Sequence, residues 1–525
     1  VLVSDPIDQA GIDILTQVAQ VDQKIGLSLN ELKNIIGEYE GLMIRSGTQV
    51  TSDVIDKAKN LRIIGRAGVG VDNVDVPAAT RKGVLVVNSP GGNTIAAAEH
   101  ALAMILALSR NIPQAHASMF AGGWDRKKYV GNELYKKILG VVGLGKIGSH
   151  VAKVANAMGM QVIGFDPFVS SERAQQMQVQ LSNIDDLFKI SDYVTLHLPR
   201  TPDTENLVDL NLLKKMKPTA RLVNCARGGI INESDLATAI EGNVITGAAI
   251  DVYAKEPLSE DSPLRSVKKG LVLTPHLGAS TVEAQQNVAI DVAEQIRDVL
   301  LGLPARSAVN IPGLSAEIMD SLKPHLQLAE TLGLLVSQIS GGQIQKLEVR
   351  LQGEFAQHPS QPLVIATLKG LLTNALGDKI NYVNASLEAK ARGIDVLEIK
   401  DEISPEFAGG SLQLESFSDK GGHSVSGTVF GDGDLGITSI DEYPINFVPS
   451  RHMLFTRHRD MPGIIGQIGS LLGKHNVNIA SMQVGRRIVR GEAVMVLSID
   501  DPIPSELLGL ILSMQGINEA YSVTL

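Results

Sequence analysis

The segment Ile138-Leu-Gly-Val-Val-Gly143-Leu-Gly145-Lys146-Ile147-Gly148, with Gln161-Val-Ile-Gly-Phe-Asp166 after it, decides how this chain folds. An apolar run of strand character leads into three glycines, and a helix-like stretch from Lys146 to Met158 opens at once. The first glycine permits a tight turn, the second lets backbone approach a pyrophosphate, and the third lets helix and strand pack closely. Phosphates then meet the positive end of the helix. Glycines in this pattern are weak evidence alone, but Asp166 closes the next strand, 18 residues after Gly148, where a carboxylate can accept a ribose 2′-hydroxyl. Asp166 repels a 2′-phosphate and no Arg follows it directly, so the expected cofactor is NAD rather than NADP.

Working outward, apolar runs continue at Tyr193 to Leu198, Arg221 to Cys225, Thr246 to Ile250 and Leu271 to Thr274. With Ile138 to Gly143 and Gln161 to Phe165 they make six strand candidates, enough for a doubly wound parallel sheet. Before them, short runs at Val1 to Val3, Gly41 to Ile44, Arg62 to Ile64 and Val84 to Val87 alternate with helix-like stretches such as Ser52 to Lys59, which predicts another parallel α/β lobe. The Ala-rich Thr94 to Ser109 predicts a buried helix crossing between the lobes, and Thr281 to Leu301 another long helix. Pro304, Pro312 and Gly313 then punctuate the chain. Beyond Ser315 a helix is expected over Ala316 to Ile339, and alternation at Lys346 to Leu351 predicts an antiparallel sheet with one wet face. From Met453 the order β-α-β-β-α-β is that of a split βαβ unit.

Composition bounds the function. Across 525 residues there are 47 Lys and Arg against 57 Asp and Glu, a net charge of −10, which argues against nucleic acid or anionic lipid as a partner. One cysteine, Cys225, excludes an internal disulfide and suggests a reducing compartment: the cytoplasm, or an organelle after processing. The opening Val-Leu-Val-Ser-Asp reads as a first strand rather than a signal peptide, and no apolar run reaches the ~18 residues that a membrane span requires.

Three local runs, Asn224-Cys225-Ala-Arg227-Gly-Gly, Asp251-Val-Tyr-Ala-Lys-Glu256-Pro and Thr274-Pro-His276-Leu-Gly, join the glycine turn in a pattern that resembles the D-isomer-specific 2-hydroxyacid dehydrogenases over roughly Val1 to Pro312. That resemblance implies a Rossmann-type domain (95–274) inserted in a split flavodoxin-like substrate domain (1–94 and 275–312). Hydride transfer between a 2-hydroxy acid and a nicotinamide needs a cation for the carboxylate and carbonyl and a group that exchanges the hydroxyl proton. Arg227 suits the first role through its planar guanidinium. His276 suits the second, and Glu256, bonded to the other imidazole nitrogen, would orient the ring and favour its protonated form. The resemblance, not the spacing, implies that the three meet. It also places Thr94, Cys225, Asp251 and His276 beside Gly143, Gly145, Lys146, Ile147, Gly148 and Asp166 in the NAD site. No metal is expected.

For the substrate, the first lobe supplies Arg45, Arg66, Gly68 and Asn93, and the only tryptophan precedes Arg126 in Gly123-Trp124-Asp125-Arg126. Arg45, Arg66 and Arg126 are more positive charge than one carboxylate needs, which suggests a second anionic group such as phosphate. These runs resemble family members that interconvert 3-phospho-D-glycerate and 3-phosphohydroxypyruvate, the entry step to L-serine. In the family the loop matching Trp124 to Lys128 reaches a neighbouring active site, which implies a homodimer or homotetramer. Another D-2-hydroxyacid, of the glyoxylate or lactate type, and a NAD-sensing interaction protein are the alternatives.

The last third carries Asp460-Met-Pro462-Gly463 and Asn476-Val-Asn478, which resemble the ACT regulatory domain (451–525), following an α+β intervening domain (313–450) like that of the family's long form. That resemblance implies a small amino-acid effector, L-serine, held by His458, Asp460, Pro462, Gly463 and, from a neighbouring subunit, Asn478. Arg451, His452, Arg457, His458 and Arg459 form a basic cluster that reads best as a solvated face.

Overall fold

A computed structural model describes residues 1–311, 318, 321–401, 410–431 and 433–525. Among these residues the strands form sheets of five, seven, six and four strands.

The first sheet contains β1 (Leu2–Val3), β2 (Asp22–Gln23), β3 (Gly41–Ile44), β4 (Ile63–Arg66) and β5 (Leu85–Asn88), all paired parallel in the order β2-β1-β3-β4-β5. This is the flavodoxin-like order. Apart from the edge strand β2, its strands are short, largely apolar and largely buried because helices must cover both faces of a parallel sheet. One cover comes from far along the chain: Val288, Ala289, Val292, Ala293 and Ile296 of the helix Val282–Leu300 share a core with Val3, Met43 and Ile63.

The second sheet contains β6 (Ile138–Val142), β7 (Gln161–Phe165), β8 (Gln180–Leu181), β9 (Tyr193–Leu196), β10 (Arg221–Asn224), β11 (Gly247–Ile250) and β12 (Leu271–Leu273). All pairings are parallel and the order is β12-β11-β10-β9-β6-β7-β8, a Rossmann-type winding. The winding reverses between β6 and β9, and ligands of such sheets bind outside the strands' carboxyl ends at that point. The helix Thr94–Ser109 packs Ala98, Ala101, Leu102 and Ile105 against Leu139, Val141 and Val151, its alanines allowing close approach. The strands β2 and β8 are additions to the expected set. At two residues each, on sheet edges and partly polar, they leave no periodicity to read.

The third sheet contains β13 (Ile344–Gln352), β14 (Asp395–Asp401), β15 (Ser411–Ser418), β16 (Gly421–Val429), β17 (Leu435–Ile440) and β18 (Tyr443–Phe447). It corrects the antiparallel expectation: β13 pairs antiparallel with β15 but parallel with β14. The connection from β13 to β14 runs through the helices Ser360–Leu376 and Ala385–Ala391, a crossover long enough to return the chain in the same direction. Leu332, Leu335 and Val336 of the helix Lys323–Ile339 meet Leu347, Val349 and Leu351 of β13. Part of the helix expected from Ala316 lies outside the described residues.

The fourth sheet contains β19 (His452–Arg459), β20 (Ile479–Arg486), β21 (Glu492–Ile499) and β22 (Ile517–Thr524), antiparallel in the order β20-β21-β19-β22. The helices Ile464–Lys474 and Ser505–Leu512 complete a ferredoxin-like βαββαβ unit, with Leu454, Ile468, Leu472, Leu497 and Ile511 between helices and sheet. The other face, through Met453, Phe455, Val494, Val496 and Val523, joins the core of the third sheet's unit. The first of these helices starts at Ile464, because Gly463 takes a left-handed φ of 95° at its cap. Among the described residues no single helix is long and apolar enough to cross a membrane.

Candidate active site

A cleft of about 850 Å³ lies between the first two lobes, lined by Arg45, Arg66, Gly68, Asp72 and Asn93 from one side and Arg227, Glu256 and His276 from the other. His276 follows β12 with a φ of +57°, a region a residue with a Cβ enters at a cost of ~1–3 kcal/mol unless its surroundings compel it. Here Asp251 compels it. The backbone carbonyl of Asp251 accepts from His276 N at 2.9 Å. Its fully buried carboxylate accepts from Leu277 N at 2.8 Å, Gly278 N at 2.9 Å and Thr274 Oγ1 at 2.6 Å. Burial pushes the Asp251 carboxyl up, but these donors and the nearby His100, at 3.2 Å, outweigh it and hold the pKa below its ordinary value.

The strained turn aims the imidazole at Glu256. His276 Nδ1 lies 2.7 Å from Glu256 Oε2, while Glu256 Oε1 accepts from Tyr253 N at 3.0 Å. With Nδ1 committed, the other ring nitrogen is the one that can exchange a proton with a substrate. The bond to Glu256 raises the His276 pKa against the opposing effect of burial. Burial pushes Glu256 up, yet the bonds from His276 and Tyr253 N hold it below the usual carboxylate range.

Arg227 stands on the loop after β10, next to Gly228. A Cβ on Gly228 would sit 1.7 Å from the Tyr253 carbonyl oxygen, so only glycine lets the Arg227 and Glu256 loops touch. Arg227 Nη1 donates to Ala226 O at 2.7 Å, and its Nε is 3.4 Å from Asp72 Oδ2. Opposite, burial and the neighbouring Arg227 lower the Arg66 guanidinium to about 10. Arg66 Nε and Asn93 Oδ1 are buried with no hydrogen-bond partner. Clustered guanidinium groups and orphaned polar atoms fit a small ligand carrying more than one negative charge.

The glycine turn fits a dinucleotide. A Cβ on Gly148 would lie 1.9 Å from Gly143 O, and one on Gly143 2.4 Å from His197 O, whereas one on Gly145 meets nothing within 4 Å. The outer glycines serve packing and the middle one faces open space, at the N-terminus of the helix Lys146–Ala157. Asp166 is fixed beside this turn, its carboxylate accepting from Leu144 N at 2.8 Å and Phe168 N at 2.9 Å. Lys146 and Ile147 open the helix, with the Lys146 ammonium directed towards Gly91 of the first lobe. Thr94 begins the helix Thr94–Ser109 on the same side as Asn93. Burial, then the charge of Asp251, push the Cys225 thiol up, so it stays protonated.

This chain is similar over its whole length to proteins of known kind. It is 61% identical over 526 residues to D-3-phosphoglycerate dehydrogenase of Synechocystis, covering all of this chain and 94% of that protein. It is 44% identical to the enzyme of the same name from Archaeoglobus fulgidus, with full coverage of both. The chain belongs to the D-3-phosphoglycerate dehydrogenase family. Its parts match in order: residues 102–278 the NAD-binding domain of D-isomer-specific 2-hydroxyacid dehydrogenases, 321–441 the D-3-phosphoglycerate dehydrogenase intervening domain, and 452–513 the ACT domain. Among solved structures, a Thermus thermophilus protein aligns with 59% of this chain and 99% of its own length (32% identity, TM-score 0.55). The apo form of Escherichia coli D-lactate dehydrogenase does so over 59% and 99% (26% identity, TM-score 0.53). It is thus a long-form member with an ACT domain, and its cofactor is NAD.

Other expected residues lie apart from this cleft. Arg126 is exposed, beside the 75% exposed Trp124, and does not line the cleft of its own protomer. In the ACT domain, His458 is only 2% exposed, which corrects its expected place in an effector wall: strand alternation turns it inward with Leu454 and Thr456. Asp460 takes a bond from Arg486 at 2.7 Å and one from Arg490 N at 3.2 Å, so one of its oxygens is already occupied. Pro462 and Gly463 are exposed, and Asn478, exposed at the entry to the edge strand β20, donates to Asp500 at 2.8 Å. Within the basic cluster, Arg457 faces Glu519 at 3.9 Å and His452 bonds Thr524, while Arg451 and Arg459 are exposed, largely the solvated face expected.

Two site residues escaped the sequence reading. His100, beside Asp251, was signalled by a titratable side chain within an alanine-rich helix, and Asp72, the partner of Arg227, sat in the glycine-rich run after Arg66.

Proposed function

We propose that this chain oxidises 3-phospho-D-glycerate to 3-phosphohydroxypyruvate with NAD, and runs the reverse reduction. The observation that carries the reading is the His276–Glu256 pair at 2.7 Å, with Arg227 on the same side of the cleft and Arg66 opposite. Arg227 holds the substrate carboxylate and the C2 oxygen, releasing Asp72. In oxidation His276, neutral, accepts the C2 hydroxyl proton; in reduction, protonated, it returns it. Glu256 positions the ring and stabilises its cationic form. Arg45 and Arg66, with Gly68 and Asn93, hold the substrate from the first lobe, and Arg126 reaches the phosphate in a neighbouring protomer's cleft. Bound NAD supplies the hydride acceptor. Gly143, Gly145, Lys146, Ile147 and Gly148 hold its pyrophosphate, Asp166 its adenosine ribose, and Thr94, Cys225 and Asp251 line its nicotinamide end.

The units doing this are a substrate domain (1–94 and 275–312), a NAD domain (95–274), an intervening domain (313–450) and an ACT domain (451–525), in a homodimer or homotetramer. L-serine is the effector, held by Asp460, Pro462 and Gly463 of one ACT domain and Asn478 of another. A reducing compartment, the cytoplasm, suits the single thiol. His276→Ala tests the reading: kcat should fall by ~10²–10⁴ while fluorescence-monitored NADH binding persists. Near-normal kcat at neutral pH would remove His276 from the proton step.

A further inference from the structure

Away from the dehydrogenase cleft, the intervening unit brings together side chains with metal-ligand chemistry. His325 lies in the first turn of the helix Lys323–Ile339, Glu354 opens the short helix Glu354–Gln357 after β13, and His358 caps that helix. One nitrogen of each imidazole and one Glu354 carboxylate oxygen lie within 4.8 Å of one another. The two imidazoles stand edge to face with centroids 4.9 Å apart, and Phe355 packs against His325 at 4.7 Å. His325 Nδ1 and His358 Nε2 are both buried with no hydrogen-bond partner. Buried polar atoms are normally paired, because each one left unpaired costs roughly 1–3 kcal/mol. A cation that accepts lone pairs from both imidazoles and the carboxylate would give these groups a common partner.

We propose that His325, His358 and Glu354 form a binding site for a divalent transition ion, Zn²⁺ in the first instance. Two imidazoles and one carboxylate suit zinc, whereas Mg²⁺ and Ca²⁺ require oxygen-rich sets. Zinc–ligand bonds of ~2.0–2.1 Å set tetrahedral donors about 3.3 Å apart, so the three atoms close by up to about 1.5 Å on binding. Glu354 is exposed, which gives it the freedom to make that movement and leaves the fourth position to water. The ion ties the first turn of the helix Lys323–Ile339 to the end of β13. It binds the folded chain only, and therefore stabilises it by mass action. His100, Cys225 and Asp251 also approach within 4.8 Å, but Asp251 already accepts from Thr274, Leu277 and Gly278 in the dehydrogenase cleft.

The test uses full-length protein stripped of metal by a chelator, titrated with Zn²⁺ against a chromogenic competitor and with Co²⁺ by absorption. The expected result is one Zn²⁺ per chain, with binding at least tenfold weaker in His325→Asn, His358→Gln and Glu354→Gln. Zn²⁺ raises Tm in the parent and not in these variants, Co²⁺ gives tetrahedral-type bands with no thiolate charge transfer, and NADH oxidation by the variants is unchanged. Glu354→Gln alters an exposed side chain and so keeps the test valid if either histidine variant fails to fold. Undiminished zinc binding in Glu354→Gln and the folded histidine variants, absence of stoichiometric binding, or a thiolate band that disappears in Cys225→Ser each overturns the proposal.

Discussion

Replacing Glu256 with Gln keeps the shape of the side chain and a hydrogen-bond acceptor for Tyr253 N, but removes the charge that favours protonated His276. The bonded atoms are 2.7 Å apart, which puts the charge centres roughly 4 Å apart; at that separation the attraction is ~1 kcal/mol in bulk water and ~4 kcal/mol near a protein surface. The side chains are 46% and 37% exposed, so solvent screening keeps the value at the lower end, about 1 kcal/mol. An interaction of that size changes the population of the protonated ring by about fivefold. In the reductive direction the protonated ring is the active form, and activity falls as pH rises through the His276 pKa. In Glu256→Gln the alkaline limb of kcat/KM with 3-phosphohydroxypyruvate should therefore move to lower pH, costing about fivefold above it and little below it. Stability has the matching window. The raised His276 pKa contributes stability that is present below the unfolded histidine value and lost as pH rises through the folded one. The lowered Glu256 pKa contributes stability that is lost as pH falls through the folded carboxyl value. The Tm gap between parent and variant should accordingly close at both ends of the pH range. A uniform loss of kcat/KM at every pH, with the limb unmoved, refutes the electrostatic part of this reasoning.

Asp166→Asn, which retains an acceptor for Leu144 N, should weaken NADH binding and narrow the preference for NADH over NADPH in fluorescence titrations, because the charge that repels a 2′-phosphate is gone. An unchanged ratio of the two affinities places cofactor selectivity elsewhere. L-serine should inhibit the full chain, and Asn478→Ala should abolish that inhibition while sparing uninhibited turnover, since an effector acts only through the arrangement it binds more tightly. If millimolar serine changes neither turnover nor Tm of the full chain, the serine assignment fails.

Much of the architecture was legible because it rests on local signals. The glycine turn, the strand that ends at Asp166 and the buried alanine-rich helix each state their structure within about twenty residues. The ACT unit was equally readable, since its six elements alternate cleanly. What stayed hidden depends on distant partners. The parallel pairing of β13 with β14 is settled by a long helical crossover, and alternation within one strand carries no direction. The roles of Asp251 followed the same logic: its place at a strand end was visible, but not that its carboxylate gathers Thr274, Leu277 and Gly278 and so fixes the unusual backbone of His276. His458 was misread because a basic residue in a charged run suggests solvent, while its strand position turns it inward.

The central claim, a phosphorylated substrate handled by the His276–Glu256 pair and a cluster of arginines, is tested most directly by NADH oxidation with 3-phosphohydroxypyruvate set against pyruvate and glyoxylate. Charge-assisted bonds to the phosphate contribute ~1.5–3 kcal/mol each, so one favours the phosphorylated acid by roughly 10–10²-fold in kcat/KM and two by about 10²-fold or more. That preference is the predicted result; equal or faster turnover of pyruvate or glyoxylate contradicts the account.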